Sequence, residues 1–356
     1  MTQSEQLLSA FSQMYFFEEM VQDNLQFIDN NGCTQELADL ILNMGDTVIA
    51  IQIKERLETA RTNDTSVEMK WFESKMSKAK KQVKTTVEFI RNGNLPVFRN
   101  KRDVAIPVDH NAEIIPLAVF VNESITQYPH ILEKHSEDGL TVNCMSMKDF
   151  QIMCSTLVSP AEMIDYLKYR CNFFETNGPV NILVCEPSET DLIISRPADN
   201  ETLIHHFLLE KYGSGKIHIN NAVFDQFRWF LQQTAERSTI GRDTEGTYTI
   251  LLFLAHLHRN EIVAFWERMI LARDKAKNEE YGVVGSLRDS SSYAVFFVSA
   301  PPNRAMSMEY LLEKAREKCD PVKLMQVYVW WEDDTNYRID YMFWDNSIAQ
   351  QREAEQ

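Results

Sequence analysis

The sequence predicts an α/β protein, and a hairpin, its flanking helices and one further strand carry that prediction. Two apolar runs, Leu40 to Met44 and Thr47 to Ile53, flank Gly45-Asp46. Gly-Asp between apolar runs is turn chemistry, and the mostly β-branched second run suits a strand buried on both faces. Helical periodicity stands on either side, over residues 4–27 and 70–92. Glu113 to Val121, with Ile114-Ile115-Pro116-Leu117-Ala118-Val119-Phe120-Val121, reads as a further buried strand.

The first helix is predicted from Ser4 to Phe27, with Leu7, Leu8, Phe11, Met14, Tyr15, Glu18, Val21 and Leu25 on its period. Asn30-Asn31-Gly32 then breaks the chain before the hairpin. A polar loop, Thr59 to Ser66, leads to the second helix, whose core face is Phe72, Met76, Ala79, Val83, Val87 and Ile90. Lys75, Lys78, Gln82 and Thr85 form a neighbouring stripe. Asn92-Gly93-Asn94 stops that helix. Leu140 to Cys144 reads as a short strand and Met147 to Leu157 as a helix. Ser159-Pro160-Ala161-Glu162 is a helix start: Ser caps, Pro takes the first position and Glu closes the capping box.

The chain has 356 residues, enough for about two domains. Residues 1–145 are assigned to a first domain, 146–178 to a helical connector and 179–347 to a second, α+β domain, with 348–356 a disordered tail. Asn177-Gly178-Pro179 marks the main boundary. The hydrophobic share of 44% and charged share of 25% are those of a globular protein. No apolar run reaches the roughly 18 residues a membrane span needs, and the start lacks the pattern of a secretory signal. Six scattered cysteines, without C-x-x-C, point to free thiols in a reducing cytoplasm.

The net charge of −16 is unevenly spread. From Lys54 to Arg102 there are 13 basic and 6 acidic residues, net +7, against −23 for the remainder. A basic segment attracts phosphates whatever the total charge. Lys75, Lys78 and Lys81 on the second helix are its candidate nucleic-acid contacts.

The polar residues of the hairpin are the candidate chemistry. Side chains alternate along a strand, so Gln52 and Lys54 share one side, and Asp39 lies opposite the low fifties across the turn. A carboxylate and a second oxygen suit Mg²⁺, a hard cation. A lysine beside them suits the charge that develops in phosphoryl chemistry.

The arrangement Asp39…Gln52-Ile53-Lys54 resembles the PD-(D/E)XK nuclease superfamily, of restriction-endonuclease-like fold. Ala38 stands where the motif name has proline, and Gln52 where an acid is usual, as in the Gln-x-Lys variant of Mrr-type nucleases. The resemblance covers about residues 10–145 and implies an α-β-β-α-β core. It implies a Mg²⁺-dependent endonuclease (Mn²⁺ substituting) acting on DNA, in prokaryotic restriction, anti-phage defence or repair. In its terms Asp39 and Gln52 hold the metal and Lys54 aligns the nucleophile. Glu19, or its neighbour Glu18, would supply the acid of the first helix, and Gln82 the polar residue of the second. One alternative is a catalytically inactive nuclease-fold module that binds nucleic acid or a protein. Another is a scaffold whose second half does the work, as a homo-oligomer contact or protein-binding surface.

That second half matches no recognised pattern. Strands are expected at 180–185, 281–285, 292–299, 324–331 and 337–343. Helices are expected at 203–212, 222–235 and 306–318, with one long helix at 247–277. His256 and His258 are too close along a helix to share a face with Glu261 as metal ligands. Gly213-Ser214-Gly215-Lys216 lacks full phosphate-loop spacing and reads as a turn.

Overall fold

The computed structural model describes residues 2–16, 18–28, 34–93, 98–99, 105–106, 108–133, 140–178, 181–185, 193–197, 199–213, 221–237, 244–288, 293–302, 323–332 and 336–345. Over these the chain is mixed α/β. It divides into two units, Met1–Ile219 with Gln232–Ala255, and Asn220–Leu231 with His256–Gln356. Gly178, the boundary expected from sequence, falls inside the first unit and caps a helix at φ +65°.

The first unit begins α1 (Gln3–Phe16), β1 (Val21–Ile28), β2 (Thr34–Asn43), β3 (Thr47–Glu55) and α2 (Thr65–Arg91). A small ribbon follows, β4 (Phe98–Arg99) with β5 (Ala105–Ile106), then β6 (Glu113–Val121), β7 (Ile131–Glu133) and β8 (Val142–Ser146). Next come α3 (Met147–Thr156), α4 (Pro160–Asn177), the paired β9 (Asn181–Cys185) and β10 (Ile193–Pro197), and α5 (Asn200–Tyr212). The main sheet runs β1-β2-β3-β6-β8-β7. Its first three strands form an antiparallel meander, β3, β6 and β8 run parallel, and β7 returns antiparallel.

Helix α2 is the crossover that parallel neighbours β3 and β6 require. Asp64 caps it, accepting from Ser66 N–H. Its buried stripe of Phe72, Met76, Ala79, Val83 and Val87 packs on Ala118 and Phe120 of β6 and on Val142 and Cys144 of β8. Phe72 and Phe120 meet edge to face, 5.0 Å between centroids. The β2–β3 turn forms as its sequence requires: Gly45 has φ +82° and donates to Asn43 Oδ1 at 3.0 Å. Ser159 caps α4 and accepts from Glu162 N–H, while Glu162 Oε2 accepts from Val158 N–H at 3.1 Å.

The helix expected over residues 4–27 ends at Phe16. A 3-10 turn, Glu18–Met20, leads into β1, an edge strand paired with β2. Asp23 masks the strand pattern, since it interrupts the alternation of Val21, Leu25 and Phe27. Its carboxylate is satisfied by the Ser9 hydroxyl of α1 at 2.8 Å.

Helices α6 (Asn221–Arg237), α7 (Thr244–Ala255) and α8 (Arg259–Lys277) follow. The long helix expected over 247–277 is therefore two, broken at the residues where the chain passes between units. His258 caps α8 in a capping box with Glu261, a role that histidine's rarity at caps conceals. In the second unit β11 (Gly282–Arg288), β12 (Tyr293–Ala300), β13 (Lys323–Trp331) and β14 (Tyr337–Asp345) form one sheet in chain order, with β12 and β13 parallel. Phe265 of α8 meets Phe297 of β12 edge to face at 5.0 Å, with Phe227 and Phe230 of α6 around it. Gly213 caps α5 at φ +74°. Ser214 to Lys216, the helix expected at 306–318 and the tail from 348 lie outside the described residues. Among the described residues no helix is long and apolar enough to cross a membrane.

Candidate active site

Strands β2 and β3 pair only from Asn43 opposite Val48 to Leu40 opposite Ile51. Where that ladder ends, a side chain replaces the backbone acceptor: Asp39 Oδ2 accepts Ile53 N–H at 2.5 Å. On its other edge β2 pairs Ala38 with Leu25 but Glu36 with Gln26. Leu37 is thus the extra residue of a β-bulge, a device that re-aims side chains and frees backbone groups. Its carbonyl accepts from Gln52 Nε2 at 3.3 Å and from the Thr86 hydroxyl of α2.

Gln52 is fully buried, and that bond orients its amide. Its Oε1 accepts from Lys54 Nζ at 3.3 Å. Lys54 Nζ also donates to the Ile53 carbonyl at 2.7 Å and lies 3.7 Å from Asp39 Oδ2. A carboxylate, an amide and a backbone carbonyl so converge on one ammonium. The Asp39 side chain is 3% exposed and that of Lys54 14%, so the cluster opens to solvent at the lysine.

Burial drives the electrostatics. It pushes the Asp39 carboxyl upward, against the pull of Lys54 and of the Ile53 N–H. It pushes Lys54 downward, with Asp39 opposing. Glu36 and Glu5 raise Asp39 further, and Lys78 lowers Lys54, so α1, β2 and α2 each set a charge within reach of the pair.

Of the residues singled out from sequence, Asp39, Gln52 and Lys54 meet. Gln82 lies one turn before Thr86 on α2, and its backbone carbonyl accepts the Thr86 hydroxyl at 3.0 Å. Glu19 is not on the first helix; it sits buried in the 3-10 turn before β1. Trp71, Lys75, Lys78, Gln82 and Thr86 recur every three or four residues and so share one flank of α2. Arg56 lies over the Trp71 ring, 5.9 Å from its centroid. Lys75, Lys78 and Lys81 are exposed. None of the three forms an ion pair among the described residues, whereas Lys84, on the opposite flank, bonds Glu133 at 2.9 Å.

Sequence reasoning missed Thr86, the Leu37 carbonyl, Glu36 and Glu5. Thr86 was accessible in principle, one turn beyond Gln82 on the same stripe. Glu36 was not, because only the bulge at Leu37 restores it to the side of Asp39.

The oxygens of Asp39, Gln52 and Ile53 are hard donors and fit a hard divalent cation in kind. They carry a single negative charge, so they fit a weakly held one. Among the described residues no three His, Cys, Asp or Glu side chains form a metal-binding group, so a cation here would depend on amide and carbonyl oxygens. Comparison with protein families, curated proteins and solved structures finds no match for this chain.

Proposed function

We propose that the first unit is a metal-dependent endonuclease of the PD-(D/E)XK, restriction-endonuclease-like type, cleaving phosphodiester bonds in DNA. The observation that carries this reading is the convergence of Asp39, Gln52 and Lys54 at the open end of the β2–β3 ladder. The topology around it supports the reading: a helix, an antiparallel meander, a crossover helix and a parallel strand. Asp39 and Gln52 would hold Mg²⁺ or Mn²⁺, which supplies Lewis-acid polarisation of a phosphate oxygen when bound. Lys54, at the end that opens to solvent, would meet the charge that develops on phosphate in the transition state. Lys75 and Lys78 on the flank of α2, with Lys81 beside it, would hold the backbone of the nucleic acid.

The test is cleavage of plasmid and single-stranded DNA over a Mg²⁺ and Mn²⁺ series by the wild type and by Lys54→Ala. Metal-dependent cleavage that Lys54→Ala loses is expected. Undiminished cleavage by Lys54→Ala would refute the site. A second reading, a DNA-binding module without cleavage, is favoured by Gln52, whose amide is engaged at both ends and carries no charge. DNA binding with no cleavage by any form would select it.

A further inference from the structure

We infer that Lys54 is the resident cation of its own site: it occupies the converging oxygens when metal is absent, and a divalent ion enters only as the ammonium swings out. The inference rests on the reading of Asp39 and Gln52 as metal ligands.

The geometry supports it at each oxygen. The ammonium takes the Ile53 carbonyl at 2.7 Å, the Gln52 amide oxygen at 3.3 Å and the Asp39 carboxylate at 3.7 Å. These are the oxygens a hard cation would use. One carboxylate and one ammonium balance within the cluster, with Glu36 and Glu5 adding negative charge from outside it. A divalent ion added beside a retained ammonium would meet unscreened like charge, because Asp39 and Gln52 are buried. Lys78 adds positive charge from α2.

The exit is also built. Lys54 is the residue before the last of β3, and its side chain is the most accessible of the cluster. Its flexible four-carbon stem ends in a compact charge that can turn toward solvent. A phosphate on the Lys75–Lys78 flank would offer the displaced ammonium a new partner. Metal and nucleic acid would then bind cooperatively, each favouring the swung-out lysine. The single residue that aligns the substrate would also keep the free protein from holding metal.

The experiment is Mn²⁺ binding to the full chain, followed by electron paramagnetic resonance and calorimetry, with thermal melting as the folding control. It compares the wild type with Lys54→Met, Lys54→Gln, Lys54→Arg and Asp39→Asn, each with and without a short DNA duplex at low temperature. Lys54→Met and Lys54→Gln should bind Mn²⁺ about tenfold tighter than the wild type, and DNA should tighten Mn²⁺ more in the wild type than in either neutral variant. Lys54→Arg should remain a weak binder, because the charge stays. Equal or weaker Mn²⁺ binding by both neutral variants, beside measurable wild-type binding that Asp39→Asn removes, would overturn the inference and leave the metal reading standing. No Mn²⁺ binding by any form would overturn both. Two neutral variants keep the comparison usable if either one fails to fold.

Discussion

Two cations at the main sheet of the first unit, Arg170 and Lys54, differ in kind. Arg170 of α4 is fully buried. Its guanidinium donates to the His130 carbonyl at 2.8 Å, the Cys144 carbonyl at 2.7 Å, Asn143 Oδ1 at 3.0 Å and His130 Nδ1 at 2.8 Å. It has no carboxylate ion pair among the described residues, and it lies over the Phe174 ring. This cluster fastens α4 to β8 and to the residue that precedes β7. Lys54 is held by fewer and longer contacts, faces a carboxylate and reaches solvent. A buried cation held by four short hydrogen bonds to neutral acceptors works as a fastening. One left partly satisfied at the surface, with unpaired lysines beyond it, is placed to act on something else.

The largest expected effect separates the two on stability. Arg170→Met removes the donor to the Cys144 carbonyl, Asn143 Oδ1 and His130 Nδ1, while the His130 carbonyl keeps the Cys144 N–H at 2.9 Å. Each stranded group costs about 1–3 kcal/mol, and loss of the whole fastening should cost about 3–5 kcal/mol. Lys54→Met takes the counter-charge from buried Asp39 but lies where the cluster opens to solvent, so it should cost less, about 1–3 kcal/mol. Urea unfolding of the two variants checks this. Equal losses would erase the distinction between fastening and site.

Activity should show the reverse. Lys54→Ala should lower cleavage by about 10²–10³-fold, the usual cost of removing one group that stabilises transition-state charge. The effect should fall on kcat more than on KM, because the lysine acts where charge develops. Gln52→Glu restores a second negative charge at nearly constant volume, so Mn²⁺ affinity should hold or rise. An Arg170 variant that still folds should retain kcat. Loss of kcat there without loss of structure would show that the two clusters are coupled.

The fastening should also be acid-labile. Burial, with the charge of Arg170 adding to it, holds His130 down to about 4 from an ordinary 6.5. The unfolded chain therefore binds the proton first as pH falls. His130 contributes its full stability above 6.5, and this is lost as pH drops toward 4, a change on the order of 3 kcal/mol. Glu68 adds a lower window. Hydrogen bonds from Arg56 hold its carboxyl to about 2, against 4.5, so its contribution is present above 4.5 and fades toward 2. His130→Gln should be less stable at neutral pH and flatter between pH 6.5 and 4. A wild-type stability curve already flat over that interval would show that His130 is not held neutral.

Much of this was legible from local pattern. The Gly45-Asp46 turn, the apolar stripe of α2 and the capping box at Ser159 each concern residues within one or two turns of one another. The side shared by Asp39, Gln52 and Lys54 followed from the two-residue strand period. What was not legible depends on distant partners. The helical period of α1 runs on through Val21 and Leu25 of β1, and Asp23, satisfied by Ser9, breaks the strand alternation there. The bulge at Leu37 inserts one residue, so no counting rule assigns Glu36 to the side of Asp39. Thr86 joins the site through a carbonyl that only the bulge releases. The break before α8 was hidden because a histidine caps it.

The smallest effect tests which lysines of α2 face a ligand. Lys78 and Lys84 lie on one helix but on different flanks. Lys84 is committed to Glu133 of β7 at 2.9 Å. Lys78 is exposed, makes no ion pair among the described residues and acts on Lys54 by its charge. If DNA lies along the flank that leads to Lys54, Lys78 releases a counterion on binding and Lys84 does not. Lys78→Ala should then reduce the slope of log affinity against log salt by about 0.9, and weaken binding several-fold at moderate salt. Lys84→Ala should leave that slope unchanged and lose about 1–2 kcal/mol of stability, because its pair with Glu133 is partly buried. Replacing Lys75, Lys78 and Lys81 together should lower the slope by about 2–3. Fluorescence anisotropy of a labelled duplex across a salt series measures all three. Equal slopes for Lys78→Ala and Lys84→Ala would mean that the charge of α2 acts only as a diffuse field, and that the track to Lys54 is not where the backbone lies.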